Sequence, residues 1–285
     1  MEKLIEYYEF PDGRIVKRLQ GEDVYTFDPI RKVWEPDYSL TAEFAWDRPY
    51  GKPCENPRKT VDIGVDLPPF PSKKEFFVGN TVMIGAFPQK TLHDFTAIPW
   101  IVLETNGTTA LCISRDCLLT CGYCDPQIVY GRLEALLWKN SLAREVCNHS
   151  FFDRAFSEEE KLKLKPRKVF SSLTEEVCID RVFLLSESEV LHYFPSNAQR
   201  KARPTTYAIQ KGAWLGWTDD TKAYTSWWIL PEEIADGFGN AMIYPKAVFQ
   251  TGDIQFHGRN AYHIDFVLRP CIQVQYKNAG DSGAY

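Results

Sequence analysis

Helix-start signals in the middle of this chain, with strand-like segments towards the end, restrict the possible folds more than any other feature. Ser157 is followed three residues later by Glu160, and Ser186 by Glu189. In such capping boxes the two side chains bond backbone N–H groups that the first helical turn leaves unpaired. Residues 141–165 are predicted to be helical in two pieces, and strand-like segments lie on both sides without alternating with helices. A parallel β/α fold requires that alternation, so the sequence predicts an α+β fold.

The chain divides by composition into four parts. Residues 1–50 contain short strand-like segments such as "VYTFD" and "KVWEPD", with a turn at Pro11-Asp12-Gly13, and predict a small antiparallel β segment. Residues 51–75 have the composition of a stiff linker, because five prolines occur among polar residues: Pro53, Pro57, Pro68, Pro69 and Pro71. Residues 76–277 are predicted to form a compact domain. Residues 278–285, "NAGDSGAY", are predicted to be a disordered tail.

Two further patterns shape the predicted domain. Asn106-Gly107 lies between two apolar runs, which is typical of a tight hairpin turn. The segment "HIDFVLRPCIQVQY" at 263–276 predicts one terminal strand. Trp227 and Trp228 are interpreted as core residues, whereas Trp217 follows Gly216 and precedes a polar run, which favours exposure.

Charge and hydropathy exclude two partner classes and indicate a compartment. Of 285 residues, 33 are Lys or Arg and 38 are Asp or Glu, giving a net charge of −5. We therefore expect no nucleic-acid partner, because phosphate binding needs a basic face. The sequence holds no run of about 18 apolar residues, so we expect no membrane partner. The start "MEKLIEYYEF" lacks the pattern of a signal peptide, and the eight cysteines then predict reduced thiols in the cytoplasm.

The cysteines of "CLLTCGYC" raise the question of a metal. Cys117, Cys121 and Cys124 have a spacing that suits an iron–sulfur cluster of the radical S-adenosylmethionine type. Adding Cys112 gives four thiolates that suit zinc. The residues after Cys124 do not alternate between strands and helices as a radical-enzyme barrel requires. We therefore favour a third interpretation, in which the cysteines pack as small apolar residues without a cofactor.

A series of phrases carries a resemblance over residues 78–276. In order they are "AIPWIVLE", "LWKNSLAREVCNHSFFDRAFSEEE", "DRVFLLSESEV", "RKARPTTYA" and "FVLRPCIQV". Together they resemble a bacterial family, domain of unknown function 6273, which is related to the formylglycine-generating-enzyme and C-type-lectin-like folds. The sequence departs from the family pattern at Leu230, where an arginine is expected, and at Phe266 or Val267, where a glycine is expected.

The resemblance implies a C-type-lectin-like domain with long irregular loops above a small sheet. The family has no established catalytic residues, and formylglycine-type oxidation needs a pair of cysteines where this sequence has only Cys271. In related folds the loop before the closing strand is surface-exposed and is sometimes diversified by retroelements. We therefore expect a non-enzymatic binding module that presents a loop surface to a protein or glycan ligand.

The residues predicted to contact that ligand combine stacking aromatics with polar side chains. Tryptophan and tyrosine offer large contact areas with a polar group, and arginine pairs with carboxylates through two bonds. The predicted contact residues are Trp217, His257, Arg259, Asn260 and Tyr262. The alternative function is a metal-dependent enzyme that uses Cys117, Cys121 and Cys124, either as an iron–sulfur radical enzyme or with zinc.

Overall fold

The fold was examined in a computed structural model. It describes residues 5–9, 15–19, 24–28, 33–36, 52–53, 68–91, 94–124, 136–170, 177–235, 241–256, 261 and 265–277. The architecture is α+β, as predicted, with few helices and an antiparallel sheet that curls into a half-barrel. Predictions for the tail at 278–285 and for the turn at 11–13 lie outside the described residues.

The N-terminal region forms an antiparallel sheet of five short strands. The strands are β1 (Ile5–Glu9), β2 (Ile15–Leu19), β3 (Val24–Asp28), β4 (Val33–Pro36) and β5 (Lys52–Pro53). Their order is β4-β3-β2-β1-β5, so the first four follow one another as a meander. The strands predicted from "VYTFD" and "KVWEPD" are β3 and β4. Strand β5 lies within the proline-rich segment, where we had expected only a linker.

The central sheet joins segments that are far apart in sequence. Its strands are β6 (Thr81–Pro88), β7 (Phe95–Thr105), β8 (Thr109–Ser114), β10 (Leu164–Lys165), β13 (Val182–Phe183) and β18 (Cys271–Gln275). The order is β10-β18-β8-β7-β6, and β13 also pairs with β18. The predicted hairpin turn is confirmed: Gly107 has φ of +87°, and the Asn106 side-chain oxygen accepts from the backbone N–H of Thr109 at 2.8 Å.

The helices are short, and two of them begin where the capping boxes predict. They are α1 (Leu142–Val146), α2 (Phe152–Ala155), α3 (Glu158–Lys163), α4 (Glu187–Tyr193), α5 (Asn197–Arg200) and α6 (Thr206–Gln210), with a π-helical turn at Cys147–Phe151 between α1 and α2. Ser157 caps α3 and Ser186 caps α4, each in a complete capping box. Within the described ranges, no helix has the length and apolarity needed to cross a bilayer.

A second sheet contains the segments around the tryptophan pair. Its strands are β9 (Leu119–Thr120), β14 (Trp227–Ala235), β15 (Ala241–Val248), β16 (Ile254–Phe256) and β17 (Val267–Leu268), in the order β16-β15-β14-β17-β9. The prediction of one terminal strand over 263–276 was wrong. The chain leaves the second sheet after β17 and enters the central sheet at β18. Between them lies Pro270, which has no backbone N–H to continue a ladder.

A two-stranded ribbon of β11 (Arg167–Phe170) and β12 (Val177–Asp180) completes the described strands. The core between the sheets contains three fully buried tryptophans, as predicted for Trp227 and Trp228. Each indole N–H donates to a backbone carbonyl: Trp100 to Ile84, Trp227 to Arg200 and Trp228 to Cys121, at 2.8, 3.1 and 2.8 Å. These bonds remove the cost of burying a polar N–H beside a large apolar ring.

Candidate functional site

The segment from Trp214 to Thr225, called the Trp217 loop below, projects one large aromatic side chain into solvent. Leu215 and Thr225 form an isolated β-bridge at its base, and the Gly216 N–H donates to the Tyr224 carbonyl at 3.1 Å. Trp217 follows directly and is 81% exposed. Burying such a ring in an interface is strongly favourable, so its exposure marks a candidate contact surface, as the sequence predicted.

Bonds within the loop hold Trp217 in place. The Thr221 N–H donates to the Thr218 carbonyl at 2.9 Å, and the hydroxyls of Thr218 and Thr221 lie 2.6 Å apart. A Cβ at Gly216 would lie 2.4 Å from Thr221 Cβ. Only glycine allows this close approach, so position 216 is coupled to the internal bonds of the loop. A preorganised loop loses little conformational entropy when it binds.

Aromatic side chains of the loop contact one another and two basic side chains. The Trp214 and Trp217 rings meet edge to face, with centroids 5.6 Å apart. Lys201 and Arg203 lie over the Tyr224 ring at 5.3 and 5.8 Å from its centroid. This surface offers flat apolar contact together with cationic hydrogen-bond donors, which suits polar ligands with an apolar face.

Four of the five predicted contact residues, His257, Arg259, Asn260 and Tyr262, lie outside the described residues. Two described residues, Ala261 within this segment and Asp265 beyond it, are bonded to other parts of the chain. The Trp214 N–H donates to the Asp265 carbonyl at 3.0 Å, and the Cys124 N–H donates to the Ala261 carbonyl at 3.1 Å. The Trp217 loop is therefore bonded to Asp265, three residues after Tyr262.

The four cysteines considered as metal ligands are all buried. Cys112 lies in β8, where its side chain faces the core as expected. Burial raises the pKa of Cys112, Cys117 and Cys121 to about 12 in each case, so without a bound metal these thiols stay protonated at neutral pH. Among the described residues, no group of three or more His, Cys, Asp or Glu side chains has the geometry to hold a metal ion. The thiol-based alternative stays a prediction that metal analysis can test.

A polar cleft of about 160 Å³ lies on one face of the central sheet, and the sequence analysis did not find it. Its lining includes Glu104, Asn106, Thr109, Leu111, Arg167 and Gln273. Three of these stand in one row, because Glu104 of β7 pairs with Leu111 of β8, which pairs with Gln273 of β18. Residues so distant in sequence become neighbours only through the strand register, so no local pattern indicates the cleft.

Comparison with family models finds a match to Domain of unknown function (DUF6273) over residues 116–276. The match covers more than half of the 285 residues. The chain belongs to the DUF6273 family. No curated protein and no solved structure matches it.

The DUF6273 match begins after β8, although the resemblance noted from the sequence began near residue 78. The structure shows why the folded unit extends further upstream. Strand β18, inside the matched range, pairs over its whole length with β8, which lies outside it. The matched range alone would leave β18 without this partner and the central sheet without β6, β7 and β8.

Polar residues in the DUF6273 phrases form a buried network. Asp180 is 2% exposed and accepts from the Trp138 indole at 2.8 Å. Arg144 donates to Asp180 through Nε at 3.0 Å and Nη2 at 2.8 Å. The hydrogen bonds to Asp180 raise the pKa of Arg144. Ser141 caps α1 by accepting from the Arg144 N–H. These bonds join α1 to β12 and give the phrases a structural role.

Two other phrases of the DUF6273 resemblance each contain a buried arginine with a structural role. Arg200, in "RKARPTTYA", donates to the carbonyls of Gly252 and Phe194, each at 2.7 Å. Arg269, in "FVLRPCIQV", lies against the rings of Trp227 and Phe194, 5.0 and 5.3 Å from their centroids, and burial lowers its pKa. Both arginines hold backbone segments together inside the domain, away from the exposed Trp217 ring.

Proposed function

We propose that this chain is a non-enzymatic binding module whose Trp217 loop contacts a protein or glycan ligand. The observation that carries the proposal is an 81% exposed Trp217 ring on a loop held by internal hydrogen bonds. Exposed aromatics that anchor interfaces contribute a large share of binding energy, and tryptophan is enriched among such residues. His257, Arg259, Asn260 and Tyr262 extend the proposed surface.

The proposal includes a C-type-lectin-like fold for residues 76–277, bacterial origin and a cytoplasmic location. The α+β architecture, with long connections such as 211–226, supports such a fold. The anchoring of Trp214 to Asp265 supports a surface shared by two loops. This arrangement suits a scaffold in which the sheets stay constant while the loops determine the ligand.

The test compares Trp217→Ala with a matched control, Phe170→Ala, because Phe170 is also an exposed aromatic (63%) but lies on the β11–β12 ribbon. Each form is applied to a glycan array, and each is used for quantitative affinity capture from native extract. We expect Trp217→Ala to weaken binding roughly 30-fold, the effect of losing an anchor residue. The control should bind as the unmodified chain does. Equal binding by both variants would refute the role of Trp217.

Metal analysis of the purified chain addresses the alternative. Iron or zinc near one equivalent, lost in Cys121→Ser, would favour a metal-dependent enzyme over a binding module. A folded, metal-free chain that retains ligand binding would support the proposal.

A further inference from the structure

The turn between β7 and β8 places an amide side chain next to a backbone nitrogen that can attack it. Asn106 is followed by Gly107, and both residues are exposed. The Asn106 side-chain carbon Cγ and the Gly107 backbone nitrogen are linked by consecutive covalent bonds, so bond geometry alone keeps them within a few ångströms of each other. The sequence contains the Asn-Gly pair once. A reaction between these groups would therefore modify one defined position.

The Gly107 nitrogen is accessible and unpaired. Within the described ranges, its N–H donates no hydrogen bond. A Cβ at Gly107 would meet nothing within 4 Å apart from its chain neighbours, so water reaches this position. Glycine also has no side chain to shield its nitrogen as the nitrogen approaches the Asn106 amide. The nitrogen is thus free to act as a nucleophile once it loses its proton to solvent.

The Asn106 amide is activated by hydrogen bonds to its oxygen. The backbone N–H groups of Thr108 and Thr109 donate to Asn106 Oδ1 at 3.1 and 2.8 Å, and the Thr108 hydroxyl donates to it at 3.0 Å. Attack on Cγ puts negative charge on Oδ1 in the tetrahedral intermediate. Donors already in place at such an oxygen lower the barrier, as an oxyanion hole does. The turn therefore supplies both the nucleophile and the stabilisation of the intermediate.

We propose that Asn106 is a site of intramolecular deamidation. The Gly107 nitrogen forms a bond to Asn106 Cγ and gives its proton to a solvent base. The bond between Cγ and Nδ2 breaks, and Nδ2 takes a proton from water and leaves as ammonia. Water then opens the succinimide ring: cleavage of the new bond to Cγ gives aspartate, and cleavage of the original peptide bond gives isoaspartate. One water is consumed, one ammonia is released, and nothing is oxidised or reduced.

The turn is suited to hold the aspartate product. A carboxylate at position 106 accepts the same hydrogen bonds, and bonds to a charged acceptor are stronger than those to a neutral one. The product adds a negative charge to the lining of the polar cleft, which already contains Glu104. The isoaspartate product inserts an extra carbon into the main chain, which would disturb the pairing of Thr105 with Ala110. The reaction does not depend on the function of the Trp217 loop.

Timed incubation of the full chain at mildly alkaline pH, followed by peptide mapping with mass spectrometry, tests the proposal. We expect aspartate and isoaspartate to accumulate at position 106 at least about tenfold faster than at Asn140. Asn140 is also exposed, but the N–H of the next residue, Ser141, is bonded to the Trp138 carbonyl at 3.1 Å. The rate at Asn106 should rise with pH, because the Gly107 nitrogen attacks after losing its proton. Comparable rates at the two asparagines would overturn the proposal, and so would a rate that is independent of pH.

Two variants test whether the donors at Oδ1 assist the reaction. Thr108→Val removes the hydroxyl donor and keeps the shape of the side chain, so deamidation at Asn106 should slow roughly 2- to 10-fold. Thr105→Val is the matched control, because Thr105 lies in the same hairpin and, within the described chain, its hydroxyl does not donate to Asn106 Oδ1. It should leave the rate unchanged, and so should Trp217→Ala.

Thermal melts confirm that these variants fold. If Thr108→Val deamidates as fast as the unmodified chain or faster, the donors hold the amide in an unreactive position, and the proposed activation is refuted.

Discussion

Replacing Asp180 with asparagine is expected to destabilise the domain by about 3 kcal/mol. The substitution preserves the shape of the side chain. It removes the negative charge that pairs with Arg144 and accepts a hydrogen bond from the Trp138 indole. An asparagine side chain also has only one acceptor oxygen, so at least one of the N–H groups of Arg144 and Trp138 that donate to Asp180 would lose its bond. Breaking a buried ion pair costs about 3–5 kcal/mol. The lower end applies because the Arg144 side chain is 31% exposed and water compensates part of the loss.

Guanidinium denaturation followed by tryptophan fluorescence measures the loss of unfolding free energy. In a separate thermal melt, the melting temperature should fall by roughly 6–12 °C. Asp219→Asn is the control, because Asp219 is 98% exposed and its loss should change stability by less than about 0.5 kcal/mol. If Asp180→Asn unfolds within about 0.5 kcal/mol of the unmodified chain, the claim that this network stabilises the domain is wrong. The network would then need a functional explanation.

Three further outcomes are expected. Trp217→Ala should change the free energy of unfolding by less than about 0.5 kcal/mol in denaturant titrations, because its ring contributes little to the core. Gly85→Ala should cost about 2 kcal/mol or more in the same assay, because Gly85 has φ of +66° and a Cβ would lie 2.5 Å from the Ala155 carbonyl oxygen. Burial raises the pKa of Cys117 from 9.0 to about 12. Burying the neutral thiol therefore contributes fully to the free energy of unfolding below pH 9. Between pH 9 and about 12 this contribution falls by about 1.4 kcal/mol per pH unit. Denaturation from neutral pH upward checks this, and a Cys117→Ala variant should show a shallower decline.

Local signals in the sequence predicted the local structure well. Ser157 and Ser186 each cap a helix because a capping box involves only four consecutive residues. The hairpin at Gly107 was predictable for the same reason. The hairpin of β14 and β15 was missed, and the terminal segment was wrongly joined across Pro270. The terminal segment pairs with strands that are distant in sequence, so the segment itself carries little information about its pairing. Strands β14 and β15 are neighbours in sequence, but each contains a proline, Pro231 or Pro245, and a proline within a run argues against a strand.

The candidate sites also differ in how far the sequence alone predicts them. The exposure of Trp217 could be predicted, because Gly216 and the polar residues after it indicate a surface loop. The cleft could not be predicted, because Glu104 and Gln273 become neighbours only through the registers of β7, β8 and β18. Sequence reasoning gave a metal role for Cys117, Cys121 and Cys124 as the alternative, which metal analysis still has to test. Their depth in the core, and the raised pKa of Cys117 and Cys121 that follows from it, depend on packing that spacing does not encode.

The position of β18 has a consequence for folding during synthesis. This strand lies between β8 and β10 and also pairs with β13, so the central sheet lacks an interior strand until residues 271–275 have been translated. At roughly 5–20 residues per second, β8 waits on the order of ten seconds for its partner. During that time its unpaired edge can associate with other nascent chains. The yield of folded protein should therefore depend more on chaperone protection during translation than on the free energy of unfolding of the finished chain.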